Sequence, residues 1–455
     1  MQIGISNRKK HNPNLEIMKV QIINYQENSQ KNSRGNFFDQ QINNLFKNNS
    51  KIDLKTERTV AKIISQIRQN GDKSIIELCN QLDKTNFKQP SDFLATQKEI
   101  NLAKNNLDKN IIKALELSFK RVLDYHQKQL PQDFFYQDAM GNELGNIWQA
   151  IERVGIYVPG GTAAYPSSVI MNSVPAIVAG CKNIVMATPS TEGKINDVVL
   201  VAAEICGIKN IYKIGGAVAI AGLALGTKTI TKVNKIVGPG NSFVAMAKKQ
   251  LFGEVGIDMI AGPTDILIIA DNQNHPDWIA SDLLSQAEHG IDSKAILITD
   301  DLVFANLVNN SIAKLSKSLP RLNIIKESLK KSALIIVQDL NQDGAQIANQ
   351  IAPEHLEIMV KNPKKILKLI KNAGAIFLGK YSPEAIGDYI AGPSHTLPTS
   401  GTAKFSSGLS VFDFLKRMSI INCSKNGFLK LQNDTALLAE SEGFQAHQLS
   451  ISIRK

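Results

Sequence analysis

The sequence predicts an α/β protein built on parallel sheet, and three observations carry that prediction. After Arg153 come eight short runs rich in Ile and Val: VGIYV, NIVMAT, IYKIG, KIVG, DILIIAD, AILITD, ALIIVQD and AIFLG. Most are followed by Gly, Pro or Asp and then a helical stretch, the alternation that packs helices onto the faces of a parallel sheet. The chain has 455 residues, of which 43% are hydrophobic, enough for roughly two to three domains with a sizeable buried core.

Taken in order, residues 1–50 are rich in Asn, Gln and Lys with little apolar periodicity and read as an arm. Residues 54–82 place Val60, Ile63, Ile64, Ile67, Ile75, Ile76 and Leu78 at helical spacing, broken at Asn70-Gly71-Asp72. A second helical stretch covers 111–126. The strand and helix repeats occupy the middle of the chain. Helical runs are expected near 411–418 and 435–442, which make the last fifty residues a small tail and not another sheet layer.

Composition excludes several classes. No run reaches the roughly 18 apolar residues of a membrane span, and the start, MQIGISNRKKHNPN, has no apolar segment; a cytoplasmic protein without a membrane partner is expected. Cys79, Cys181, Cys206 and Cys423 form no CxxC pair, so they are expected reduced and partly buried. The net charge of +11 is spread along the chain without aromatic interleaving, which argues against a nucleic-acid partner.

Three strand exits carry glycine: PGGT at 159–162, GGAVA at 215–219 and GPGN at 238–241. Glycine lets a backbone turn with positive φ or approach a phosphate at a helix start. None is a GxGxxG, and Pro239 removes one donor from the third. Tight turns and cofactor binding are both open readings of these loops.

Four of the seven histidines, His289, His355, His395 and His447, sit in runs that also hold a carboxylate or amide, the company that metal ligation and proton transfer require. The other three, His11, His126 and His275, are expected on the surface. In SDLLSQAEHG, Gln286 and His289 are spaced to share a helix face, whereas Glu288 diverges from His289 by about 100°. Ligation and a structural helix-end histidine both remain open there. In PEHL, Pro353 suits a first helical turn and places Glu354 and His355 near a helix start, as an acid/base pair or as a cap beside a surface imidazole. Asp388 and His395 fall on a glycine-containing segment expected to be irregular. Glu442 and His447 would point about 140° apart on an unbroken helix; a break at Gly443 lets both face one pocket. Such a terminal arm is suited to completing a neighbour's site in a dimer.

These stretches together resemble the L-histidinol dehydrogenase family. The resemblance runs from about Thr59 to the C-terminus and is carried by ERVGIYVPGG, IVGPGN, DMIAGPTDILIIAD, SDLLSQAEHG, PEHL, GDYIAGPSHTLPTSGTAKFSSGLS and EGFQAH. It implies two α/β lobes with incomplete Rossmann-like parallel sheets plus small helical N- and C-terminal segments. The implied division is an arm at 1–50, a catalytic lobe of 51–156 with 266–408, an NAD-binding lobe of 157–265, and a dimerisation tail at 409–455.

The resemblance also implies a homodimeric oxidoreductase of histidine biosynthesis that oxidises L-histidinol to L-histidine through bound L-histidinal in two NAD-dependent steps. It places one Zn2+ per subunit on Gln286, His289, Asp388 and His447, and catalysis on Glu354 and His355. Implied substrate contacts are Thr264, Gln286, His289, His355, Asp388, Glu442 and His447, the last two from the partner's tail. Implied cofactor contacts are Tyr157, Val218 and Asn241. Two positions depart from the family pattern: Val218 stands where Gln is usual, and Thr264 where Ser is usual. The lost side-chain hydrogen bond at Val218 is expected to weaken NAD binding by about tenfold. The competing readings are a related zinc/NAD dehydrogenase for another small substituted alcohol, a zinc-dependent hydrolase, and a basic binding protein.

Overall fold

A computed structural model describes residues 19–25, 53–160 and 164–454. The chain divides into two compact units, one of 1–69, 239–251 and 259–408, the other of 70–238, 252–258 and 409–455.

The first unit is built on six parallel strands in the order Gln21–Asn24, Ala333–Ile336, Lys294–Thr299, Asp265–Ala270, His355–Met359 and Ala375–Leu378. Asp265–Ala270 is buried at every position, as a near-continuous aliphatic strand covered on both faces must be. Its alternation divides the core: Ile266 and Ile268 pack with Ile279 and Leu283 of helix Pro276–Ala287, and Leu267 and Ile269 pack with Ile347 and Ala348 of helix Gln342–Ile351.

The second unit holds five parallel strands in the order Asn210–Tyr212, Asn183–Ala187, Arg153–Tyr157, Lys235–Val237 and Gly256–Ile257. Helices Lys109–Gln127, Pro166–Val178 and Asp197–Ile205 contribute Val122, Val174 and Val201 to its core. Apart from the edge strand Gln21–Asn24, in both sheets the chain starts in the interior, at Asp265–Ala270 or Arg153–Tyr157, steps outward on one side, then returns to build the other side. That reversal is the switch point of Rossmann-like topology.

All eight runs rich in Ile and Val are strands, and the helical break near residue 71 falls between helices Leu54–Asn70 and Asp72–Leu82. Several expectations need correction. Within the region read as an arm, Gln21–Asn24 is an edge strand paired with Ala333–Ile336; its entry is held by Asn309, whose Oδ1 accepts the Val20 N–H at 2.8 Å. Residues 1–18 and 26–50 of that region lie outside the described residues. The run expected to be helical at 411–418 is a short 3-10 turn, Val411–Phe414, followed by the strand Leu415–Asn422. This strand pairs antiparallel along all of Glu143–Ala150, which also pairs with Phe134–Gln137. Non-local pairing overrides local propensity there, so the tail does add a sheet layer before its two helices, Lys425–Ser441 and Gln445–Ser452.

The expected lobe boundaries differ from these units as well. Residues 70–156 belong to the second unit, because Ile100, Leu115 and Val122 share its core with Val154 and Ile156. His126 is fully buried and not a surface residue, with Nδ1 2.8 Å from Gln129 Oε1. His275 caps helix Pro276–Ala287 by accepting the Asp277 N–H at 3.2 Å, and His11 lies outside the described residues. Cys79, Cys181 and Cys206 are buried free thiols, and Cys423 is exposed. Among the described residues no helix is long and apolar enough to cross a membrane.

Candidate active site

Thr264, Gln286, His289, Glu354, His355, Asp388 and His395 all belong to the first unit, and the fold gathers them at the amino ends of the strands beginning at Asp265 and His355. Gln286 lies in the last turn of helix Pro276–Ala287, but His289 is beyond its end, with the His289 N–H donating to the Gln286 carbonyl at 3.3 Å. The pair is therefore close without sharing a helix face. PEHL does not open a helix. Helix Gln342–Ile351 stops at Ala352, whose φ of +53° is left-handed, and Pro353 leads into the strand His355–Met359, the usual role of a proline just past a helix end. Asp388 sits in the short helix Glu384–Tyr389, correcting the irregular segment expected there, while His395 lies outside any helix or strand.

Adjacent Glu354 and His355 are both oriented by Asp265. The Glu354 N–H donates to Asp265 Oδ1 at 2.8 Å, and the Asp265 N–H donates to Glu354 Oε2 at 3.3 Å. His355 Nδ1 lies 3.1 Å from the Asp265 carbonyl oxygen; a carbonyl only accepts, so in neutral His355 the proton sits on Nδ1 and the lone pair on Nε2. That Nε2 is 3.9 Å from Asp388 Oδ1, and Glu384 Oε1 is 3.4 Å from Nδ1. His395 Nδ1 lies 3.0 Å from the Asp388 carbonyl.

The amide of Gln286 is fully buried. Its Nε2 donates to Thr264 Oγ1 at 2.6 Å, and Thr264 in turn hydrogen-bonds the Glu354 carboxyl. Gln286 Oε1 is left buried without a donor. Close by in sequence, His289 joins Glu384 and Asp388 in a group whose ligand atoms lie within 4.8 Å of one another. An orphaned amide oxygen, an imidazole and carboxylates make a mixed N/O donor set that fits a zinc ion. Glu384 was absent from the sequence reading, although it precedes Asp388 by one helical turn in SPEAIGD, a spacing that places both on one face.

Burial dominates the titration of this cluster. It raises Glu354 well above the usual carboxylate range, and the Asp265 charge adds to the effect. Burial likewise raises Glu384, reinforced by the Asp388 and Glu357 carboxylates. It pulls His355 down to about 4 against the opposing attraction of Asp388, so the ring is neutral near pH 7 and able to accept a proton.

In the second unit, Tyr157 ends the strand at the switch point, between the neighbours Asn183–Ala187 and Lys235–Val237. Its buried hydroxyl, pushed up to about 12 by burial, accepts the Gly216 N–H at 3.0 Å. Asp83 accepts from the Gly215 N–H. Gly238, at φ +114°, donates to Asp258 Oδ2 at 2.8 Å, and a Cβ there would collide with the Tyr157 carbonyl oxygen. Two glycine loops thus have local structural reasons. The remaining loop, PGGT, includes residues 161 and 162, which lie outside the described residues. Val218 is 3% exposed inside helix Gly216–Leu225. Asn241, in the first unit, caps helix Ser242–Leu251 by accepting the Phe243 and Val244 N–H groups at 3.1 and 3.2 Å. A cavity of about 280 Å³ lined by Gly160, Thr188, Thr191, Lys194 and Asn196 opens near the carboxyl ends of strands Arg153–Tyr157 and Asn183–Ala187.

Glu442 and His447 also belong to the second unit. Gly443, at φ +76°, breaks the tail between its helices, and both residues line one cavity of about 340 Å³ with Leu438 and Phe444.

The family model for histidinol dehydrogenase matches residues 46–455. A histidinol dehydrogenase of Nitrosomonas europaea is 48% identical over 418 residues, 92% of this chain and 96% of that one. One from Carboxydothermus hydrogenoformans is 47% identical over 404 residues, covering 89% and 95%. The crystal structure of histidinol dehydrogenase from Elizabethkingia anophelis superposes with a TM-score of 0.85 at 36% identity, covering 89% of this chain and 92% of that one. With its parallel sheets, its buried acid and imidazole cluster and these matches along nearly its full length, the chain belongs to the histidinol dehydrogenase family.

Proposed function

We propose that this chain oxidises L-histidinol to L-histidine in two successive steps, taking up one water and passing two hydrides to two equivalents of NAD. The observation that carries the site assignment is that buried Glu354 and His355, half-buried Asp388 and, through Thr264, Gln286 with its orphaned Oε1 belong to one connected cluster. Family membership supports the substrate.

Gln286, through Oε1, His289, Asp388 and the partner's His447 hold zinc in this reading. Bound there, zinc supplies a Lewis-acidic anchor that orients an amino alcohol. His355 Nε2 accepts the hydroxyl proton as the carbinol carbon is oxidised, with Nδ1 held by the Asp265 carbonyl so that the ring presents the correct nitrogen. Asp388 beside Nε2 stabilises the imidazolium that forms. Glu354 then takes a proton from water as it adds to the aldehyde carbon, and burial of the carboxyl makes it a stronger base than a solvated one. Thr264 orients Gln286 and Glu354 together. Tyr157, Val218 and Asn241 are the cofactor contacts in this reading; the switch-point position of Tyr157 supports it.

A homodimer is part of the same proposal, with Glu442 and His447 reaching the partner's site. What supports it is the tail: Leu437, Leu438, Leu449 and Ile453 are each more than 60% exposed on its two helices, an apolar face suited to burial against a second copy. The test is NADH formation with L-histidinol. Two equivalents per L-histidine are expected, and one equivalent with L-histidinal as the product would refute the two-step reading.

A further inference from the structure

We infer that Asp265 is a positioning residue for the second oxidation, acting through Glu354, with Lys294 as its buried register partner on the adjacent strand. The inference rests on the assignment of Glu354 as the group that activates water for aldehyde oxidation.

Asp265 opens a strand whose next five residues, Ile266 to Ala270, are all buried and apolar. An aliphatic side chain would suit that environment, and a buried carboxylate there costs stability unless it is paired and hydrogen-bonded. Asp265 is 3% exposed, and its register partner on the adjacent parallel strand is Lys294, also 3% exposed. Neighbours in register point to the same face of a sheet, and the lysine charge opposes the effect of burial on the acid. The Ser400 backbone donates to the same carboxylate.

The fold thus maintains a costly buried acid and base at the strand end that meets the site. The feature that separates Asp265 from its aliphatic neighbours is its two-way contact with Glu354. The carboxylate holds the Glu354 main chain through Oδ1, and the Asp265 main chain holds the Glu354 carboxyl through Oε2. Neither the position nor the side-chain direction of Glu354 can change without breaking a bond to Asp265. His355, in contrast, contacts only the Asp265 carbonyl oxygen, which substitution of the side chain leaves in place. The side chain of Asp265 therefore acts on the step that uses Glu354 and spares the step that uses His355.

The test uses the full-length dimer loaded with zinc and compares Asp265→Asn, Lys294→Gln and Glu354→Gln with the parent. The first hydride is followed in a single turnover with L-histidinol; the second is followed as kcat and KM with L-histidinal supplied directly. Asp265→Asn is expected to lower kcat for L-histidinal about tenfold or more while KM and the first-hydride rate stay within about twofold. Lys294→Gln, which leaves every hydrogen bond of Asp265 to Glu354 in place, is expected to give a smaller loss confined to the same step and reports on the proposal if Asp265→Asn does not fold. Equal losses in both steps, or no loss in either, overturn the inference. If Glu354→Gln itself retains aldehyde oxidation, the assignment of Glu354 fails instead.

Discussion

Gln286 turns its amide nitrogen onto the hydroxyl of Thr264 at 2.6 Å and leaves its buried oxygen without a donor. A hydroxyl that accepts from the nitrogen fixes which end of the amide faces the cluster. Thr264→Val keeps the shape of the side chain and removes this orientation. Zinc affinity is expected to fall about 10- to 100-fold, read by competition with a chromogenic chelator; unchanged affinity would mean that Gln286 Oε1 is not directed by Thr264.

Removal of the metal is expected to abolish NADH formation and to lower the melting temperature, because an ion bound only by the folded state stabilises it by mass action. Zn2+ added back to the chelated protein is expected to restore both. Full activity after exhaustive dialysis against chelator, with zinc absent by elemental analysis, contradicts the assignment of Gln286, His289, Asp388 and His447.

His355→Gln removes the acceptor nitrogen in a strand that otherwise stays packed. A loss of about 10²- to 10⁴-fold in the first-hydride rate is expected, with L-histidinol binding by calorimetry reduced far less. Parallel losses in rate and binding would assign His355 to substrate contact alone.

Glu357 is buried in the strand His355–Met359, hydrogen-bonded to Asp282, and its Oε1 accepts the Glu384 N–H at 2.7 Å. Burial, then the Asp282 charge, raises Glu357 well above the usual range, and burial raises Asp282 to about 6. The folded chain holds these protons at pH values where the unfolded chain has lost them. Stability is therefore present below the unfolded carboxylate pKa and is lost as pH rises through the folded values. Glu357→Gln removes one such group, so the metal-free variant is expected to be more stable than the parent by about 1–3 kcal/mol at pH 8, with the advantage vanishing toward pH 4. Melting temperatures that run parallel across this range would contradict it.

Subunit mixing checks the placement of the tail. His447→Ala and His355→Gln are each expected to be inactive alone. If the partner's His447 completes each site, denaturing and refolding an equal mixture restores roughly a quarter of parental activity, since half the dimers are mixed and each of those has one whole site. No recovery, with dimers confirmed by sedimentation, would place His447 in its own subunit's site.

The strand runs from VGIYV to AIFLG were legible in the sequence because fully buried parallel strands are nearly continuous Ile and Val, and turn residues mark their ends. The break at Gly71 was legible for the same local reason. Glu354, His355, Gln286, His289, Asp388, Glu442 and His447 could be singled out from the chemistry of short runs and from family motifs, but their local setting was only partly readable. Pro353 suits a helix start as well as a helix exit, and the choice was made by Ala352 and by pairing of His355–Met359 with strands on either side.

Other features depend on residues far apart in the chain. Leu415–Asn422 is a strand because Glu143–Ala150 offers a partner more than 260 positions away, and Gln21–Asn24 is one because Ala333–Ile336 does. Asp265 and Glu384 enter the site only through residues distant in sequence, Glu354 for the first and His355 for both. Local composition determined which segments could be strands and which side chains could do acid, base or ligand chemistry. Tertiary structure alone decided which of them meet, because hydrogen-bond partners and the loss of solvent that shifts their pKa values exist only once distant segments are packed together.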